Sequence, residues 1–265
     1  MRHYLKLARL PNILMVGLTL FLMRYAIIAP MLSIYSMELK LPFTAFLAFV
    51  LATMLVAAAG YVINDYFDRN LDLVNRKPED VIAGKLISEN NVLWFYRSLN
   101  ILSLILAFYA SRSTGILSLI LCFPVMMGLL YFYSTTYKKQ LLIGNIIVSI
   151  ATALVPIAVY LYEMPPVIRH YKYFIISGSL NLSVIKFWIL GFSAFAFISG
   201  LAREIIKDME DYEGDNFAGR NTVPIVWGMG WAKGLAIFLL GLVITGIVLI
   251  YLSFLWKRVI QTISH

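Results

Sequence analysis

The acidic side chains are the part of this chain best placed to do chemistry, because they are few and gathered. Of fourteen aspartates and glutamates, twelve lie between Asp65 and Glu89 or between Glu204 and Asp215, and only Glu38 and Glu163 fall elsewhere. Asp65, Asp68 and Asp72 have the spacing DxxDxxxD. Asp208, Asp211 and Asp215 repeat it, each 143 residues after its counterpart. On a helix, side chains three and four apart share one face, with Cβ atoms about 5–6 Å apart. Carboxylates so placed repel one another, which raises the proton affinity of some or demands a counter-ion. An oxygen-only ligand set suits hard divalent cations. Magnesium in particular takes one or two carboxylates and completes its shell with water and substrate phosphate oxygens. The six aspartates are therefore read as both the catalytic and the metal residues of a site where Mg2+ bridges to a diphosphate.

The neighbours of the two motifs suit an anion. Asn64 precedes Asp65 and sits at i−4 from Asp68, where an amide can orient a carboxylate or donate to phosphate. Arg69 and Arg76 follow. Arg203 and Lys207 lie one turn ahead of the second set of acids, and Arg220 comes after it. Between the motifs, Tyr133, Ser134, Lys138 and Lys139 add hydroxyls and cations able to neutralise a diphosphate leaving group. Glu79, Asp80, Glu89, Glu210 and Glu213 share no such pattern and read as solvated surface. The lone Cys122 reads as a packing residue, and the three histidines (His3, His170, His265) offer no zinc ligand set.

Elements of one kind must position these groups. The chain has 265 residues, 61% of them hydrophobic and 14% charged, whereas a soluble domain is about half apolar and about a quarter charged. Apolar stretches of roughly 20 residues, enough to cross a bilayer, recur at about 13–34, 43–63, 92–111, 115–134, 141–162, 186–203 and 231–255. The expected fold is all-α: a polytopic transmembrane helical bundle of about seven spans forming a single domain over 1–265. Residues 1–11 form a basic amphipathic segment with no small-residue cleavage site, so not a removable signal peptide. The net charge of +8 is spread singly or in pairs through short loops. Topology and anionic membrane lipids explain that better than nucleic acid. Lys and Arg are denser at the N-terminus and after spans two, four and six, which places the N-terminus and both motifs on the cytoplasmic side. Arg24 lies inside the first span, where it faces a polar cavity or snorkels to the interface. The segment 163–185, with Pro165, Pro166 and Gly178, reads as an outer loop or a broken hairpin.

Asn64 to Asp72 reads N-D-Y-F-D-R-N-L-D, and Arg203 to Asp215 reads R-E-I-I-K-D-M-E-D-Y-E-G-D. This resembles the UbiA-type intramembrane prenyltransferases, with one such signature after the second span and another after the sixth. The resemblance extends to Arg9-Leu10-Pro11-Asn12, to Tyr133-Ser134 with Lys138, Lys139 and Gly144-Asn145, and to Gly219-Arg220-Asn221-Thr222-Val223-Pro224. The second motif looks most like members that prenylate glycerol-phosphate lipids. By resemblance the six aspartates hold magnesium and diphosphate with support from Asn64. Arg76, Lys138, Lys139, Arg203 and Lys207 are candidate diphosphate contacts, and Asn12 and Tyr133 line the cavity. The substrates implied are an isoprenyl diphosphate and a lipophilic acceptor, either a glycerol-phosphate lipid or an aromatic quinone precursor. The chain departs from the family in the loop Lys77–Lys85, which lacks a Pro-Asp-Arg-Pro-type run. It also has seven spans where nine are usual, so the last two family helices are expected to be absent.

Two other functions use acids at membranes. A cation-coupled transporter would place charge near the midplane, but apart from Arg24 the charges here fall at span ends. A magnesium-dependent lipid phosphotransferase usually carries one long motif rather than two equal ones far apart. A version of the chain with nine spans is expected to be more thermostable in detergent; equal melting temperatures would contradict an open bundle wall.

Overall fold

Inside a bilayer every backbone N–H and C=O must be satisfied within the chain, so an apolar sequence of this kind resolves into helices. The computed structural model describes residues 1–75, 81–176 and 182–263, with the side chains of 1–69, 81–175 and 182–253. Arg76 and residues 77–80 lie outside the described residues, and Asp72 is described by its backbone alone. We number the helices α1 (Arg2–Leu7), α2 (Leu10–Ser33), α3 (Phe43–Asn75), α4 (Glu89–Thr114), α5 (Leu117–Thr135), α6 (Ile143–His170), α7 (Lys172–Ile176), α8 (Ser183–Glu210), α9 (Tyr212–Phe217), α10 (Val223–Val226) and α11 (Met229–Ile263). Seven of these, α2 to α6 together with α8 and α11, are long and apolar enough to cross a membrane. The expected all-α bundle of seven spans is thus observed.

The helix α3 packs against α2, α4 and α5, and α8 packs between α6 and α11; α6 also meets α2 and α4, which joins the two groups. The junction is aromatic. Phe49 of α3 stacks on Tyr162 of α6 at 4.2 Å between centroids, and Leu20, Ile28, Phe46, Ile185 and Ile189 complete the same cluster. Tyr162 has its hydroxyl 2.7 Å from Ser111 Oγ, so its one polar atom is satisfied. The other faces point outward, as lipid contact requires; on α11, Trp231, Ile237, Ile244 and Leu249 are all exposed. Cys122 is exposed too, rather than packed inside as the sequence suggested.

Two expectations at the end of the bundle away from the aspartate motifs are corrected. The helix α6 does not stop near residue 162 but continues through Pro165 and Pro166 to His170. Prolines within a membrane helix are tolerated when neighbouring elements hold the turn, and here Tyr162, Met164 and Val167 are all buried against other helices. Glu163 is therefore within a spanning helix, not in a loop. It pairs with Arg24, whose Nε lies 3.1 Å from Glu163 Oε1, at side-chain exposures of 3% and 0%. Arg24 Nη2 donates to the Leu41 carbonyl at 2.7 Å, and the guanidinium lies 4.1 Å from the Phe46 ring centroid. Arg24 sits in a π-helical turn, Met23–Ile28, of the kind that redirects a side chain by adding one residue to the helix. It neither faces an open cavity nor snorkels.

Removing one member of a buried pair leaves the other charge uncompensated, at a cost of about 3–5 kcal/mol. Glu163→Leu alone should therefore lower the melting temperature in detergent sharply, while Arg24→Met combined with Glu163→Leu should recover most of the loss. A double variant no more stable than the single one would show that the pair is not what couples α2 to α6.

Candidate active site

The first motif lies on one unbroken helix. α3 runs from Phe43 to Asn75, so Asp65 and Asp68 stand one turn apart as their spacing predicts, and Asp72 follows in the next turn. The second motif does not repeat this. α8 ends at Glu210, Asp211 caps it with φ −88° and ψ 10°, and the short α9 begins at Tyr212. Asp208 is thus in the last turn of one helix and Asp215 in the next. Asp and Gly are poor helix formers, and Asp211 and Gly214 weaken the helix where it turns. The Asp215 amide still donates to the Asp211 carbonyl at 2.9 Å, which keeps the two pieces in register.

Basic and amide side chains draw the carboxylates together. Arg220 Nη1 donates to Asp215 Oδ1 at 2.9 Å and its Nη2 to Asp68 Oδ1 at 2.5 Å, linking the second motif to the first. Lys138 Nζ is 2.7 Å from the same Asp68 oxygen and 3.4 Å from Asn64 Oδ1. Arg9 Nη2 donates to Asp65 Oδ1 at 2.8 Å, with its guanidinium over the Tyr61 ring. Asn145 Nδ2 donates to Asp208 Oδ2 at 2.8 Å. Lys207 is close enough to Lys138, Asp208 and Asp215 to act on them electrostatically.

The backbone around these groups is shaped to hold them. Lys138 sits in a single 3-10 turn, Tyr137–Lys139, pressed against the start of α6. A Cβ on Gly144 would lie only 2.8 Å from Lys138 Cα, so this approach requires glycine. Gly219, at φ +62°, reverses the chain after α9, and the Arg220 amide closes back on the Asp215 carbonyl at 2.9 Å. The Asn221 amide then donates to the Lys139 carbonyl at 3.0 Å, tying the loop that carries Arg220 to the loop that carries Lys138. Arg9 and Leu142 adopt left-handed φ of 54° and 60° at the starts of α2 and α6. Such strain in residues other than glycine is held in place by the surrounding fold and clusters at functional sites.

The charges do not simply cancel. Burial pushes the Asp215 carboxyl above its ordinary value, Arg220 opposes this, and Asp211 adds to it. Burial lowers the Lys138 ammonium despite Asp68, with Arg220 and Lys207 pushing the same way as burial. For Arg220 the balance reverses, because two carboxylates outweigh burial and hold the guanidinium firmly charged. The shared guanidinium does not fully offset the burial of Asp215, whereas Asp68 has Lys138 as a second cation.

The other residues expected at the site are less uniform. Tyr133 is half-buried, with Asp68, Glu204 and Asp208 in its surroundings. Asn12 is half-buried in the first turn of α2, three residues after Arg9. Ser134 is buried and donates to the Leu130 carbonyl of its own helix, so its hydroxyl serves the backbone rather than the site. Lys139 is exposed and contributes its carbonyl. Arg203, paired with Lys207 by sequence spacing, is 59% exposed beside Glu204 at 3.9 Å and stands outside the cluster. Arg69 turns to Glu89 at 2.9 Å. In their place the structure recruits Arg9, Asn145 and Arg220. The sequence marks Arg220 only as a neighbour of the second motif, and Arg9 and Asn145 only as parts of the wider resemblance, although Gly219 and the left-handed Arg9 are the local features that aim two of them.

Among the described residues, no three acidic, histidine or cysteine side chains gather into a ready-made metal cage. That arrangement still fits magnesium, which needs only one or two carboxylates when phosphate and water supply the remaining oxygens. Asp65, Asp68, Asp208 and Asp215 offer such oxygens, each held by a cation or an amide side chain.

Comparison with known proteins agrees with this fold. A solved digeranylgeranylglyceryl phosphate synthase superposes with a TM-score of 0.59 at 26% identity, covering 95% of this chain and 77% of that one. A UbiA homologue from Archaeoglobus fulgidus, bound to DMAPP and Mg2+, shares the fold with a TM-score of 0.57 at 18% identity, covering 98% and 87%. The digeranylgeranylglyceryl phosphate synthase of Methanosphaera stadtmanae is 33% identical over 239 residues, 90% of this chain and 74% of the relative. Since the UbiA prenyltransferase family profile also matches residues 12–264, nearly the full length and both aspartate motifs, the chain belongs to the UbiA prenyltransferase family.

Proposed function

We propose that the chain transfers a prenyl group from an isoprenyl diphosphate to a lipophilic acceptor of the glycerol-phosphate lipid class, acting as one membrane-embedded domain with its site and N-terminus toward the cytoplasm. The observation that carries this reading is the meeting of two aspartate motifs, 143 residues apart, around Lys138 and Arg220. Carboxylates interleaved with cations suit a ligand that is itself a metal–phosphate complex. The relatives named as digeranylgeranylglyceryl phosphate synthases favour the glycerol-phosphate acceptor over an aromatic quinone precursor.

In this reading Asp65, Asp68, Asp208 and Asp215, with Asp72 and Asp211 one turn on, hold Mg2+, which when bound offsets the charge of the diphosphate. Lys138, Lys207 and Arg220 stabilise the negative charge that grows on the leaving group as the allylic C–O bond breaks. The electron pair of that bond departs with the diphosphate. The acceptor hydroxyl oxygen then bonds to the prenyl carbon and loses its proton. Asn145 positions Asp208, and Arg9 positions Asp65. The apolar bundle beneath the motifs excludes water, which would otherwise capture the cationic carbon.

A transport reading gains little from the structure. The one charged pair well inside the described spans, Arg24 with Glu163, is closed on itself.

Membranes carrying the protein should convert a radiolabelled isoprenyl diphosphate and a glycerol-phosphate lipid acceptor into labelled product. Chelation with EDTA should abolish the reaction and Mg2+ should restore it. Asp65→Ala or Asp208→Ala should lower turnover by roughly a hundredfold or more, and activity at the wild-type level with both residues removed would sink the assignment. Asn145→Ala, which takes away only the partner of Asp208, should cost on the order of tenfold. Release of diphosphate without labelled lipid would point to hydrolysis rather than transfer.

A further inference from the structure

Lys138 and Arg9 each hold a carboxylate of the first motif, and Arg220 is hydrogen-bonded to both motifs at once. It approaches Asp68 from α3 and Asp215 from α9, and it takes one Oδ1 atom from each. A cation bound by both motifs has to compete for those same oxygens. Arg220 also has a donor in reserve. Its Nε is buried and has no hydrogen-bond partner among the described residues, although a guanidinium presents five N–H donors in a rigid fork suited to phosphate. The residue stands on the short connection between α9 and α10, directly after the left-handed Gly219. It therefore belongs to a connection and not to a spanning helix.

We propose that Arg220 is an internal counter-ion exchanged during loading. Without ligand its guanidinium clamps the two motifs together. When a magnesium diphosphate enters, Arg220 gives up Asp68 and Asp215 to the metal and turns its donors to the diphosphate. The proposal rests on the prenyl-diphosphate reading above and adds the role of one residue within it. The exchange follows from the energetics of buried charge, because Asp215, 2% exposed, is strongly destabilised if its partner leaves and nothing replaces it. Loading and release of Arg220 are therefore coupled, and the site is not left with bare acids at any stage.

The test is a ligand titration followed by thermal unfolding of the purified full chain in detergent, using Mg2+ alone and then Mg2+ with inorganic pyrophosphate. Arg220→Gln removes the charge, and Arg220→Lys keeps it as a point donor unable to fork between two carboxylates. The expected result for Arg220→Gln is a lower Tm without metal and a larger rise with Mg2+ alone. Its Mg2+ midpoint should be about tenfold lower than wild type, since no internal cation has to be displaced, and its pyrophosphate midpoint about tenfold higher. Arg220→Lys should fall between the two, and it carries the test if the glutamine variant does not fold. Equal Mg2+ midpoints in wild type and variants, with wild type clearly stabilised by Mg2+ and pyrophosphate, would overturn the counter-ion role while leaving the functional reading intact. Failure of wild type to respond to either probe would overturn both. A variant that loses pyrophosphate affinity with an unchanged Mg2+ midpoint would make Arg220 a plain diphosphate contact and reject the exchange.

Discussion

Carboxylates from distant parts of a chain cannot meet at the edge of a low-dielectric bundle unless positive charge stands between them. In this protein that requirement centres on Asp68, where Lys138 and Arg220 converge on one oxygen, and on Asp215, which shares the same guanidinium. Much of the surrounding architecture serves these contacts. Gly144 allows the Lys138 turn to lie against α6, Gly219 turns Arg220 back toward the acids, and the Asn221 amide bonds the two loops together. The spanning helices provide the distance and direction. The loops between them provide Lys138 and Arg220.

A second ion pair lies toward the other end of the bundle and has a different character. Arg24 and Glu163 are almost wholly buried and are walled by aromatic rings. The Leu41 carbonyl, from the loop between α2 and α3, holds Arg24 as well, so the pair reads as a permanent tie between α2 and α6. The residues of the candidate site instead share partners, with Arg220 bound to two carboxylates and Asp68 to two cations. In the proposed function, the incompletely offset Asp215 beside a firmly charged Arg220 suits a metal and a phosphate together, rather than either alone.

Much of this was legible in the sequence because its signals were local. Hydropathy located the seven spans, since each must cover the same apolar thickness. The DxxDxxxD spacing placed Asp65 and Asp68 on one face of α3 because a helix repeats every 3.6 residues. Local signals failed where a tertiary partner decided the outcome. Pro165 and Pro166 suggested the end of a span, yet burial of Met164 and Val167 carries α6 past them. The second motif looked like a copy of the first, yet it bends at Asp211. Arg203 and Lys207 shared a helical spacing, yet only Lys207 acts electrostatically on the aspartates, and Ser134 is spent on its own backbone.

The sequence by itself determined the solvent, the helices, the two acidic motifs and the kind of ion they suit, because each follows from composition or from spacing within one helix. Only the tertiary structure decided which cation meets which carboxylate. Arg220 lies five residues from Asp215 but 152 from Asp68, and Asn145 lies 63 from Asp208. No periodicity encodes such pairings, which arise when packed helices bring their ends together and unpaired charge must find a partner.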